Sequence, residues 1–204
     1  KIVFTPPQRH IYRNQCISLM KRMKDFFPSA EIFCSFHRGI TSDDKYTPTS
    51  DEKNNLIIEK NAEKLGFNVV DTSFDLKKIE FYDDCDIHIG YRVHGHLYFL
   101  SKRKPSFLIH EDGRGIGVSD ALNLKGFSAF ERSLFGHFEQ KFNNSIIKKS
   151  FKKITPNVIP NKYLNIQLFR YIKEEMENSF ERFLGLPIII DSNYNIMRNF
   201  IKEI

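Results

Sequence analysis

Cysteine is scarce: Cys16, Cys34 and Cys85 are odd in number, widely spaced, and belong to no CxxC pair or Cys/His cluster. That argues against a structural metal and for a reducing, cytoplasmic setting. Long hydrophobic runs are missing as well, since stretches such as Ile188-Ile189-Ile190 fall far short of the roughly 20 apolar residues of a membrane-spanning helix. Lys1 leads straight into Ile2-Val3-Phe4, without the basic, apolar and small-residue succession of a signal peptide, and the expectation is a segment of a longer protein. No internal repeat, low-complexity tract or GK[ST] phosphate loop occurs.

What is present is the composition of a folded globular protein: 204 residues, 41% hydrophobic and 27% charged. The length suits one large domain or two small ones. Lysine and arginine total 31 against 25 acidic residues, a formal charge of +6 that directs attention to an anionic partner.

Up to residue 125, short apolar runs alternate with segments of helical periodicity, the signature of a parallel α/β sheet. Strands are expected at residues 2–5, 31–36, 67–71, 85–90 and 105–110. The spacing of Ile17, Met20, Met23 and Phe27 predicts the buried face of a helix over 14–27. A polar loop through Asp43 and Asp44 leads to Thr49-Ser50-Asp51-Glu52, a capping box that should open a helix reaching Leu65. Tyr91 to Gly95 reads as an exit loop ahead of a helix from His96 to Lys102, and Gly113 to Gly117 as a glycine-rich loop ahead of a helix over 119–124. Beyond that, Phe127 to Phe142 is expected to be helical in part and Lys141 to Lys162 an exposed basic connection. A helix is expected from Leu164 to Leu184, with Glu174, Glu175, Glu177 and Glu181 on its wet side, and another from Asn193 to Ile204. The division is therefore a Rossmann-like α/β unit over 1–125 and a helical extension over 126–204 packed on it.

An open parallel sheet binds ligands outside the carboxyl ends of its strands. The predicted exit segments carry Arg9, His10 and Arg13 after the first strand, His37 and Arg38 after the second, and Arg92 and His94 after the fourth. His110, Glu111, Asp112 and Arg114 follow at the fifth. Arginine offers a planar fork for phosphate or carboxylate, and histidine moves protons near neutral pH, so this edge describes a site for an anionic substrate with proton transfer. His88, alternating with Ile87 and Ile89, reads instead as a structural histidine, His96 as a residue that caps or packs, and the glycine run alone as a tight turn.

The run Asp86-Ile87-His88-Ile89-Gly90-Tyr91-Arg92-Val93-His94-Gly95, followed by a helix and Lys104-Pro105-Ser106-Phe107-Leu108-Ile109, resembles the polysaccharide pyruvyl transferase family. Members carry an aspartate, apolar strand, Arg-Leu-His-Gly, helix, proline, apolar strand block in the C-terminal half of a GT-B-like fold, and the close match covers residues 83–125. The resemblance implies transfer of a pyruvyl group from phosphoenolpyruvate to the hydroxyls of a cell-surface glycan, closing a ketal. Arg92, Val93 and His94 take the Arg-Leu-His positions that bind phosphoenolpyruvate, with Gly95 beside them. His110-Glu111-Asp112-Gly113-Arg114 stands where many members have an aromatic and a lysine.

On chemical grounds, Arg92 with Arg114 or Arg9 would hold the carboxylate and phosphate, and His37 is a further candidate contact. His94 would give the proton or stabilise the departing phosphate, and Asp112 or Glu111 would orient it or accept the hydroxyl proton. No cofactor and no metal is called for. The partners are phosphoenolpyruvate and a glycan, without nucleic acid; peripheral membrane contact would follow from a lipid-linked acceptor. In a GT-B-like enzyme a second half normally brings the acceptor; only one half is evident, so the expectation is an incomplete enzyme. Two rivals are a GT-B glycosyltransferase gripping a nucleotide sugar, and a non-catalytic module binding an anionic ligand through the lysines of residues 141–162.

Overall fold

A computed structural model describes residues 1–41, 49–73, 75–132 and 158–192. The Asp43/Asp44 loop, the Thr49 side chain of the capping box, nearly all of the lysine-rich connection and the 193–204 helix lie outside the described residues.

Six parallel strands form one sheet: β1 (Ile2–Thr5), β2 (Ile32–Phe36), β3 (Asn68–Asp71), β4 (Ile87–Gly90), β5 (Ser106–His110) and β6 (Phe127–Ser128). Their order is β3-β2-β1-β4-β5-β6, the doubly wound order in which chain direction across the sheet reverses between β1 and β4. Ile2 pairs with Ile32 on one side and Ile87 on the other, and His88 with Ser106. Every residue of β1 and β5 is buried, as expected for strands covered on both faces. Helices α1 (Arg13–Phe26), α2 (Thr49–Lys64), α3 (Val93–Ser101) and α4 (Gly113–Ala121) connect the strands. The α/β class with a Rossmann-like sheet and flanking helices is thus observed.

Local expectations need correction in four places, and a fifth stretch is described only in part. The buried face of α1 comprises Cys16, Leu19, Met20 and Met23, whereas Ile17 and Phe27 are only partly buried. Between β3 and β4, where no element was expected, Leu76–Asp84 forms a 3-10 helix that buries Tyr82.

Of the stretch from Phe127 to Phe142 expected to be helical in part, residues 127–132 are extended and the rest lies outside the described residues. Phe127 and Ala129 are buried while Ser128 and Phe130 are half-buried, a period of two that the aromatic content obscured. β6 thereby continues the parallel sheet through Ile109–Phe127, and β7 (Phe130–Arg132) pairs antiparallel with β8 (Val158–Pro160).

The long C-terminal helix breaks into α5 (Leu164–Glu177) and α6 (Glu181–Leu184), with Ser179 and Phe180 in left-handed conformation at the break. The turn lets Phe180 and Phe183 pack on Phe107 of β5. It also brings Arg182 Nε within 3.2 Å of Glu175, which is therefore buried rather than on the wet side.

Finally, α3 starts at Val93 and α4 at Gly113, so Val93-His94-Gly95 and Gly113-Arg114-Gly115 are first turns of helices rather than loops. Glycine weakens a helix interior but permits close approach. A Cβ on Gly95 would come 3.0 Å from His88 Nε2, and one on Gly115 would come 2.9 Å from His110 Cδ2.

Candidate functional site

A cavity of about 570 Å³ opens at the carboxyl ends of the strands, at the reversal between β1 and β4. Two helix N-termini, those of α3 and α4, reach it with amides that lack intrahelical acceptors.

Arg92 is the N-cap residue of α3, held in extended conformation. Its backbone N–H donates to Thr5 Oγ1 at 3.2 Å and its Nη1 to Gln8 Oε1 at 3.3 Å. Its Nε is buried with no hydrogen-bond partner among the described residues. Burial lowers the Arg92 pKa, with the Glu111 carboxylate acting in the opposite direction. Arginine nevertheless stays charged, and a half-buried cation with a buried, unused donor favours an anionic ligand.

Glu111 does not neutralise Arg92 by contact. Its two oxygens accept from the Gln8 amide at 3.1 Å each, and Oε1 also accepts from the Arg9 amide at 3.0 Å. This carboxylate therefore straps the exit of β5 to the exit of β1.

Asp112 caps α4. Its Oδ1 accepts from the Arg114 amide at 3.0 Å, and its Oδ2 meets Arg114 Nη2 at 2.7 Å. The hydrogen bond from the Arg114 side chain holds the Asp112 carboxyl below the ordinary carboxylate range. Arg114 is exposed on the cavity rim.

His94, the second residue of α3, is exposed and lines the cavity, and Val93 lines it half-buried. His37 lines it from the end of β2 and shares a 2.7 Å hydrogen bond with Tyr82. Burial, then the Arg92 and His94 charges, push the His37 pKa down to about 3, so its ring is neutral at physiological pH.

Of the residues singled out by sequence, Arg92, Val93, His94, His37, Asp112 and Arg114 thus converge on one cavity. Arg38, His110 and Glu111 line it as well, whereas Arg9, His10, Arg13 and Gly95 do not. Gly95 lies beneath the cavity against His88, His37 and Thr5, and Arg9 lies outside the lining, reaching the site through its amide on Glu111 and through its charge on Asp112. His88 and His96 lie in the buried layer below: His88 bonds Thr5 Oγ1 at 2.9 Å and Ser106 Oγ at 2.8 Å, and His96 bonds the same Ser106 Oγ at 2.7 Å.

Gln8, Thr72 and Asp75 also line the cavity and were not anticipated. Gln8 directly follows Pro6-Pro7 at the end of β1, a signal that was readable, whereas Thr72 and Asp75 follow β3 with no distinguishing pattern.

Among the described residues, no group of three or more His, Cys, Asp or Glu side chains is arranged to hold a metal, and the three cysteines are buried and unpaired. No described helix is long and apolar enough to cross a membrane. Comparison with protein-family models, curated proteins and solved structures finds no match to this chain.

Proposed function

We propose that this chain binds phosphoenolpyruvate and transfers its pyruvyl group to the hydroxyls of a sugar. The observation that carries the reading is Arg92, a half-buried guanidinium whose buried Nε–H is unused, set at a helix N-terminus on an open cavity. The ligand carries a carboxylate and a phosphate, and Arg92 and Arg114 line opposite helix starts of the same cavity. Bidentate pairing with guanidinium suits both anionic groups.

In the proposed reaction, His94 gives a proton to the methylene carbon of the enol phosphate, so the neighbouring carbon becomes electrophilic. A sugar hydroxyl adds there, and the C–O bond to phosphate breaks. A second hydroxyl of the same sugar then closes the ketal. One phosphoenolpyruvate and one diol give one ketal and one inorganic phosphate, without redox change. Asp112 supports this chemistry by holding Arg114 rather than by accepting a proton, because its low pKa makes it a weak base.

A nucleotide-sugar donor is the second reading, since two helix N-termini at one cavity also suit a diphosphate. Thermal denaturation with phosphoenolpyruvate and with UDP-, GDP- and CMP-sugars separates them. Ligand at about 100 times its Kd adds about 2.7 kcal/mol of stability. Stabilisation by phosphoenolpyruvate alone is expected; stabilisation by a nucleotide sugar instead overturns the reading.

A further inference from the structure

A chain of buried hydroxyls fixes which nitrogen of His37 carries hydrogen. It ends on a group that can only accept: the Phe36 carbonyl, which receives the Thr72 hydroxyl at 3.1 Å. Thr72 has one hydroxyl hydrogen, so at its 3.1 Å contact with Ser35 it accepts and Ser35 donates. Ser35 is then committed, and at 2.6 Å the Tyr82 hydroxyl donates to it. With that hydrogen used, the 2.7 Å contact between Tyr82 and His37 requires Nε2–H of His37 to donate. Any other assignment leaves one of these contacts without a hydrogen. Ser35, Thr72 and Tyr82 are buried, which keeps water from breaking the sequence.

Neutral His37 is therefore held as the Nε2–H tautomer, and its Nδ1 is a bare lone pair with no partner among the described residues. The surrounding wall carries donors on Arg92 and the first amides of α3, while its carboxylates Glu111 and Asp112 are already engaged by the Gln8 and Arg9 amides and by Arg114. A lone pair repels carboxylate and phosphate oxygens and accepts only from an N–H or O–H. We infer that His37 is a specificity-determining contact that reads a hydroxyl of the ligand, so that the cavity takes an anion and an alcohol side by side. This deepens the proposed transfer reaction and rests on it, for it assigns the alcohol arm. Tyr82 is the positioning residue that acts through His37.

The test is long-range ¹H–¹⁵N spectroscopy of histidine-labelled protein through the histidine titration range, with the His37 signals assigned by His37→Gln. A pyrrole-like Nε2 and a pyridine-like Nδ1, unchanged as pH falls, are expected. An Nδ1–H tautomer or an imidazolium at neutral pH overturns the assignment. Tyr82→Phe should abolish the tautomer preference while the other histidine signals stay in place; an unchanged tautomer overturns the role of Tyr82.

Adding a methyl hexopyranoside should shift Nδ1. A shift with inorganic phosphate only, or with neither, overturns the hydroxyl contact. These readouts do not depend on turnover, so they stand even if pyruvyl transfer fails. Where transfer is measured, His37→Phe should raise KM for the sugar roughly 3- to 10-fold, the loss of one hydrogen bond, and leave KM for phosphoenolpyruvate nearly unchanged. A raised KM for phosphoenolpyruvate instead contradicts the inference.

Discussion

His94 and His96 stand two residues apart on α3 and occupy opposite environments. His94 is exposed on the cavity, while His96 is buried with Nδ1 on Ser106 and Nε2 unpartnered. Successive residues on a helix point about 100° apart, so two positions carry a side chain from one face to the other. The difference extends to the layers they belong to. The upper layer keeps cations beside an open space, and the lower layer, His88, Ser106, His96 and Thr5, joins neutral groups by hydrogen bonds. Helical phase and partners, rather than residue type, separate a cavity-facing histidine from a buried, hydrogen-bonded one.

Acid should break the lower layer first, with the largest effect. Burial lowers the pKa of His88 well below its ordinary value and that of His96 to about 3. Below about pH 6.5 the unfolded chain takes up protons that these folded rings refuse, so stability falls with pH until the folded rings themselves titrate. Each ring contributes up to about 1.4 kcal/mol per pH unit in that window, about 3 kcal/mol per unit for the pair, and His37 of the upper layer, with its pKa at about 3, adds a third contribution of the same sign. Urea denaturation at stepped pH measures it; a flat profile between neutral pH and about 4.5 would contradict neutral burial.

Next in size is the separation of the two histidines by substitution. His94→Ala should cut pyruvyl transfer by about 10²- to 10⁴-fold with the urea midpoint unchanged. His96→Ala should instead cost about 2–3 kcal/mol of stability through a lost hydrogen bond and an emptied volume. Interchanged results would erase the distinction drawn between them.

Arg92→Met probes the upper layer alone. Replacing a half-buried charge whose Nε lacks a partner by an apolar chain should leave the unliganded fold about as stable, while abolishing stabilisation by phosphoenolpyruvate. Calorimetry with and without ligand reads both quantities, and a marked destabilisation of the unliganded protein would show Arg92 to be structural.

The smallest expected effect lies at the boundary between the layers. Helix propensity alone favours Gly95→Ala by about 1 kcal/mol. His88, however, is pinned by Thr5 and Ser106, and its Nε2 would lie 3.0 Å from the new methyl. Overpacking should reverse the sign and leave a net loss of about 1 kcal/mol, detectable as a lowered urea midpoint.

Strands β1 to β5 were legible because each is a short apolar run bounded by turn residues, and the convergence at one edge followed from their parallel order. The helix starts were not. Gly95 and the Gly113-Gly115-Gly117 run resemble loop sequence, and at Gly95 and Gly115 what makes glycine useful is the packing of His88 and His110 from the preceding strands, which only the folded strand-to-helix turn reveals. The burial of Glu175 was likewise hidden, since its partner Arg182 arrives only after the chain turns at Ser179 and Phe180. In the site, charged side chains announced themselves, whereas Tyr82 and Ser35 act through contacts 45 and 47 residues distant in sequence.

The Glu111 strap has one more consequence. An acidic side chain near a cationic pocket is the natural rival of any incoming anion, since it competes by being covalently present at all times. Here the rival is engaged elsewhere: both of its oxygens face amides of Gln8 and Arg9. Glu111 therefore leaves the Nε–H of Arg92 free for a visitor even though its charge still reaches that guanidinium, whereas at the rim Asp112 does pair with Arg114, so the two arginines of the cavity meet an anion on unequal terms.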